Sequence, residues 1–145
     1  MRIAVLNGPN LNLLGRREPE VYGRTTFAEL EAMVRDEAER LGVHLEWFQS
    51  NHEGALVDRI QALAGTADGL VLNAAAYTHT SIAIRDALLA VSLPFIEVHL
   101  SDPRSREPFR HHSFTADLAL QVIAGKGVEG YRQAVRALHE HLAGR

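Results

Sequence analysis

The sequence predicts an α/β protein: a five-stranded, all-parallel, doubly wound sheet with helices on both faces. Two observations carry this. Short, continuously apolar runs alternate with amphipathic stretches along the 145 residues, and strands without polar alternation are strands covered on both faces. No repeat, low-complexity tract or linker interrupts residues 1–145, so one domain is expected.

Each element has its own signal. "RIAVLN" (2–7) reads as a buried strand. Residues 25–42 form a helix in which Thr26 and Glu29 make a capping box, Phe27, Leu30, Met33, Val34 and Leu41 share a face, and Gly42 ends it. "HLEWFQS" (44–50) is a second strand, and Ser50 with Glu53 suggests another capping box opening a helix through Leu56, Val57, Ile60 and Leu63. "GLVLN" (69–73) is a third strand, followed by a helix over about 80–91 carrying Ile84, Leu88 and Val91. "PFIEVHL" (94–100) and "LQVIAG" (120–125) complete the sheet, and a helix over about 128–143 closes the chain. Five such units make a flavodoxin-like three-layer sandwich the expected fold.

Composition narrows the function. A content of 46% hydrophobic and 23% charged residues is that of a globular protein. A net charge of −3 argues against nucleic acid or an acidic membrane surface as partner. The absence of Cys removes disulfides and thiolate chemistry. The first apolar run is too short for a signal peptide and nothing approaches a membrane span, so a cytoplasmic location is expected. Of the 15 basic residues only Lys126 is a lysine.

Ligands of doubly wound sheets bind outside the carboxyl ends of the strands, and three chemically unusual loops start there. The first is "NGPNLNLLGRREPEVYG" (7–23), which breaks every helical and strand period; structureless loops of this length are uncommon unless functional or disordered. The residues of this loop alone leave both readings open. The second follows Asn73 with "AAAYTHTS"; the third follows Glu97-Val-His99-Leu-Ser101 with "DPRSREPFRHHS".

Glu97 and His99 lie two apart on a strand and so share a face. A carboxylate beside an imidazole fixes its tautomer and favours its protonated form, which suits His99 as a general acid; the plainer reading is an ion pair that holds the strand end. Asn10 and Asn73 read as holders of a polar substrate or an ordered water, or as turn residues, the reading preferred for Asn7. His79 and Thr80 are placed at a helix start, where amides attract an anion, Thr80 reading more as an ordinary N-cap. His111, His112 and the C-terminal "HEH" read as solvated. No metal-binding spacing, phosphate loop or nucleophile elbow is present. What remains is acid–base chemistry on a small polyhydroxylated anion, set against two rivals: a binding module without turnover, and a scaffold, which would need no Tyr, Arg and His at one edge.

"NGPNLNLLGRREPEVYG", "LNAAAYTHTSIAIRDAL" and "IEVHLSDPRSREPFRHHS", in this order, resemble type II 3-dehydroquinate dehydratases. The likeness continues to "GVEGYRQAV" and covers essentially the whole chain. The resemblance implies reversible loss of water from 3-dehydroquinate to give 3-dehydroshikimate, in the shikimate route to aromatic amino acids. It implies an anti elimination through an enolate, with no metal and no cofactor. Tyr22 would then remove a C2 proton and His99, backed by Glu97, protonate the departing C1 hydroxyl. Arg17 would stabilise the transition state, and Asn10 would position a water against the enolate oxygen. Asn73 and the amides of Leu100 and Ser101 would hold the carboxylate, and His79 and Arg110 the ring hydroxyls. Asp86 would reach in from a neighbouring subunit of a dodecamer of four trimers, and Arg106 would be a further site arginine. A free phenol, with pKa ~10, is a poor base near neutrality; a guanidinium beside it favours the phenolate, and Arg17 lies nearby on the same loop. A closing loop that brings both base and cation expels water as it completes the site, so residues 16–24 are expected to form a mobile catalytic lid.

Overall fold

The computed structural model describes residues 1–145. Its five strands are β1 (Arg2–Asn7), β2 (His44–Gln49), β3 (Gly69–Asn73), β4 (Phe95–His99) and β5 (Gln121–Ala124), all parallel, in the order β2-β1-β3-β4-β5. The helices are α1 (Pro19–Tyr22), α2 (Phe27–Leu41), α3 (Glu53–Ala62), α4 (Ile82–Val91) and α5 (Glu129–Ala143). The predicted fold class and every predicted strand and helix are present, with ends displaced by a residue or two.

Strand periodicity divides the core. Ile3, Val5, Val71 and Val98 face α2 and α5, meeting Leu30, Val34, Val135 and Leu138. Their neighbours Ala4, Leu6, Leu70 and Leu72 face α3 and α4, meeting Leu56, Ile60, Ile84 and Leu88. Both layers are buried, and each Val, Leu or Ile side chain among them contributes about 1.5–3 kcal/mol of transfer free energy. The edge strand β5 departs from the two-sided pattern: Val122 is exposed and only Ile123 is buried.

The Thr26–Glu29 capping box forms as expected, with Glu29 N–H donating to Thr26 Oγ1 at 3.1 Å and Thr26 N–H to Glu29 Oε1 at 3.0 Å. The Ser50–Glu53 box does not. The N-cap of α3 is His52, and Ser50 Oγ accepts the His52 N–H at 3.0 Å. The chain stays extended through His52 because Asn51 is committed elsewhere: its carbonyl accepts the Tyr77 hydroxyl at 2.8 Å and its side chain ties down Asn10. Helix α4 also starts later than expected. Its N-cap is Ser81, whose Oγ accepts the Ile84 N–H at 2.9 Å, so His79 and Thr80 do not open it. They close a 3₁₀ turn over Ala75–His79 instead.

The opening loop is not structureless. Leu11–Leu13 make a 3₁₀ turn, Leu11 and Leu14 are buried against the α2/α5 layer, and α1 is a single turn carrying Tyr22. Leu13 and Val21 stay exposed. Asn7 is no turn residue either. It is the fully buried last residue of β1, with Nδ2 donating to the Phe48 carbonyl at 3.1 Å. No helix is long and apolar enough to cross a membrane.

Candidate active site

The carboxyl ends of β1, β3 and β4 converge on a cavity of about 110 Å³. Its wall includes Asn10, Arg17 and Tyr22 from the opening loop, Asn73 and His79 from the β3 end, and His99, Leu100, Ser101, Arg106 and Arg110 from the β4 end. Of the predicted site residues only Glu97 and Asp86 are missing from that wall. Glu97 lies directly behind His99, and Asp86 is exposed on α4, away from this cavity. His79, His99 and Arg110 also border an adjoining cavity of about 830 Å³ that runs under the 111–117 segment.

Two loops are registered at their roots. Gly8 N–H donates to the Asn73 carbonyl at 2.8 Å, and a Cβ on Gly8 would collide with the Ala74 carbonyl. Beyond that crossing Asn10 adopts the left-handed conformation, φ 70°. This conformation suits Asn more than most residues. It is held from outside the loop: Asn51 Oδ1 accepts the Asn10 N–H at 3.0 Å, while Gln49 Nε2 donates to Asn51 Oδ1 at 3.1 Å and to the Gly8 carbonyl at 3.1 Å.

Tyr22 is half-buried between two cations. Arg106 donates to the phenolic oxygen at 2.7 Å, and the guanidinium carbons of Arg17 and Arg106 lie 5.3 and 5.2 Å from the ring centroid. Arg106 is itself steadied by His111, whose Nε2 bonds the Arg106 carbonyl at 2.9 Å. His111 is thus exposed but not merely solvated.

The Glu97–His99 pair is built as the two-residue spacing predicts. His99 Nε2 meets Glu97 Oε2 at 2.7 Å, and both residues are buried. Burial alone would push the Glu97 carboxyl up, but bonds from His99, Thr115 and Ser113 outweigh it and hold the acid below its ordinary range. Thr115 Oγ1 donates to Oε1 at 2.5 Å, and Ser113 Oγ approaches both oxygens at 3.1 and 3.0 Å. An ionised Glu97 can only accept, so His99 Nε2 carries a proton and Nδ1 is left for the cavity.

His79 is set the other way. Its Nδ1 lies 2.8 Å from the His112 carbonyl, which can only accept, so Nδ1 is the protonated nitrogen and Nε2 is free. Partial burial, helped by the nearby His99 and Arg110 and opposed by the carbonyl bond, lowers its pKa and keeps it neutral near pH 7. Arg110 is oriented by Glu107, Nε to Oε1 at 3.1 Å. Asn73 is 3% exposed, its Oδ1 accepting the Ala75 N–H at 3.1 Å and its Nδ2 donating to the Tyr131 hydroxyl at 2.9 Å.

Sequence reasoning missed the supporting residues: Ser113 and Thr115 behind Glu97, Gln49 and Asn51 behind Asn10, and Tyr131 behind Asn73. Gln49 and Asn51 follow the same carboxyl-edge rule that selected the other loops, applied to β2. Ser113 and Thr115 stand two apart in "SFT", a spacing that places two hydroxyls together only once the loop is folded.

The dehydroquinase class II family matches residues 1–139. Among similar proteins, a catabolic 3-dehydroquinase 1 from Aspergillus terreus is 61% identical over 97% of this chain and 90% of its own length. A 3-dehydroquinate dehydratase from Synechococcus is 56% identical over 99% and 98% of the two chains. The crystal structure of a type II dehydroquinase from Butyrivibrio crossotus superposes with a TM-score of 0.93 at 46% identity, covering 95% of this chain and 97% of that one. By sequence and by fold, the chain belongs to the class II dehydroquinase family, and it is a dehydratase.

Proposed function

We propose that this dehydratase removes water from 3-dehydroquinate by an anti elimination through an enolate, with Tyr22 as base and His99 as acid. The observation that carries the reading is the pair of opposed settings in one cavity: a phenol flanked by Arg17 and Arg106, and an imidazole whose Nε2 proton is held by an ionised carboxylate.

The Tyr22 phenolate takes the C2 proton, and the C–H electron pair moves into the enolate with the C3 carbonyl. A water on Asn10 donates to the enolate oxygen, and Arg17 and Arg106 offset the negative charge; preorganised donors of this kind are the largest single contribution in many such sites. Collapse of the enolate expels the C1 hydroxyl, to which His99, acting as the imidazolium with its Nε2–H kept on Glu97, gives its Nδ1 proton, so that it leaves as water and His99 is left neutral. Proton transfers of this kind contribute typically 10²–10⁴-fold each. Asn73 and the Leu100 and Ser101 amides take the carboxylate, Arg110 and the Nε2 of neutral His79 the ring hydroxyls. Asp86 stands outside its own chain's cavity, and we read it, as the family resemblance implies, as supplied by a neighbouring copy within a homododecamer. The same dehydration serves the shikimate route to aromatic amino acids and the catabolic role named for the Aspergillus relative.

The test is absorbance of the conjugated enone when purified protein meets 3-dehydroquinate. The expected result is a rise that tracks enzyme concentration; none would overturn the reading. Substrate stereospecifically deuterated at each C2 position then separates anti from syn, since only the proton anti to the leaving hydroxyl is to be lost.

A further inference from the structure

A primary amide offers a donor or an acceptor to a ligand depending on which way round it sits. The Asn73 amide is locked by a chain of bonds that runs through the core to α5. Asn7 Nδ2 donates to the Phe48 carbonyl at 3.1 Å, so Asn7 turns its Oδ1 inward, where it accepts the Tyr131 hydroxyl proton at 2.7 Å. That is the hydroxyl's only proton. Its oxygen is left as an acceptor and takes the Asn73 Nδ2 at 2.9 Å, while Asn73 Oδ1 accepts the Ala75 N–H at 3.1 Å. Both ends of the chain are backbone groups that cannot reverse, a carbonyl at Phe48 and an N–H at Ala75. Every side chain between them therefore has one consistent orientation.

We propose that Tyr131 is a positioning residue for the dehydration: it holds the Asn73 amide so that the second Nδ2 hydrogen, which has no partner within the chain, faces the cavity and the substrate carboxylate. The hydroxyl serves no packing need. Tyr131 is fully buried beside Trp47, ring centroids 6.1 Å apart, where a phenylalanine would fill the same space. Burial also pushes its phenol well above the ordinary tyrosine range, so it keeps the proton that the chain requires. Half-satisfied buried networks are costly, and loss of the hydroxyl would leave Asn7 Oδ1 and the inward Asn73 Nδ2 hydrogen without the partners they have here.

The proposal rests on the reading that Asn73 meets the substrate, and one set of variants separates the two. Steady-state kinetics with 3-dehydroquinate are measured for Tyr131→Phe, Asn73→Ala and the double variant, after circular dichroism establishes folding. Tyr131→Phe is expected to raise KM about tenfold, as for a lost bond to a charged ligand group, with a smaller fall in kcat. In the Asn73→Ala background the same change is expected to leave KM within about twofold, because non-additivity marks residues acting as a unit. A KM raised by Asn73→Ala but not by Tyr131→Phe overturns the Tyr131 proposal alone, as does an equal rise in both backgrounds. An unchanged KM in Asn73→Ala overturns the Asn73 reading and this proposal with it. Should Tyr131→Phe fail to fold, Asn7→Ala carries the test: it frees the hydroxyl proton to turn toward Asn73 and is expected to raise KM likewise, an unchanged KM overturning the proposal.

Discussion

Arg106 donates to the Tyr22 hydroxyl at 2.7 Å, joining the opening loop to the loop after β4 across 84 residues of sequence. Tyr22→Phe removes this acceptor and nothing else of the ring. Turnover is expected to fall by about 10³-fold, within the range for a lost general base, with assembly and affinity for a substrate analogue retained. A variant that keeps a tenth of the wild-type rate would show that Tyr22 is not the base.

The same bond makes residues 16–24 dependent on their far partner. Beyond Tyr22, whose ring also packs against the α2/α5 layer, little anchors the segment: Val21 is exposed, and Glu18 reaches Arg106 only at 4.0 Å. Local opening should therefore be easy. Arg16 and Arg24, both exposed, are expected to be early tryptic sites in the empty enzyme and to be protected by a saturating dehydroquinate analogue, less so in Arg17→Ala. Equal cleavage with and without analogue would exclude a substrate-gated lid.

Glu97 gives a pH-dependent signature. Its folded pKa lies below its unfolded value, so its ionised form contributes stability above the ordinary carboxylate range, lost as pH falls through the lower folded value. Thr115→Val removes one of the bonds responsible. It is expected to destabilise by about 1–2 kcal/mol at neutral pH, and by progressively less as the pH falls through the lowered folded value. Urea unfolding across an acid pH series measures the difference; a loss that never diminishes would mean that Thr115 acts through packing alone.

An imine route needs a lysine in the cavity. Lys126, the sole lysine, is exposed between Gly125 and Gly127, and the cavity wall does not include it. Borohydride added with 3-dehydroquinate is expected to leave mass and activity unchanged. A reduced adduct would sink the enolate mechanism.

Assembly is the last expectation. Ile82 and Leu89 are 56% and 51% exposed on α4, the helix that carries Asp86, and exposed apolar side chains gathered on one helix suit a contact between copies. Sedimentation is expected to show a large closed homo-oligomer. An active monomer would refute both the shared site and the dodecamer.

The sheet was legible because its signals are local: apolar runs of strand length, a capping box at Thr26, and the rule that puts ligands at strand carboxyl ends. The Glu97–His99 pair was legible for the same reason, since strand period alone sets its geometry. The start of α3 was not, because Asn51 answers to Asn10 and Tyr77, which are distant in sequence. Nor was the pairing of Tyr22 with Arg106 rather than with Arg17 alone, which depends on how two loops fold over one another. Tyr131 carried no signal: on its helix it reads as one more core residue, and only the positions of Asn7 and Asn73 give its hydroxyl a purpose.

Gly8 gives the site a common datum. Because its N–H bonds the Asn73 carbonyl and the space beyond it is filled by the Ala74 carbonyl, the loop bearing Asn10 and the loop bearing Asn73 leave the sheet from one shared point. A small shift of either carries the other along, so the spacing between Asn10 and Asn73, the residues proposed to hold the water and the carboxylate, is insulated from drift in the rest of the chain. If residues 16–24 swing as the expected lid, they do so about an end that leaves that spacing undisturbed. One missing side chain thus sets a fixed gauge at the sheet end of the loop, whatever its far end around Tyr22 does.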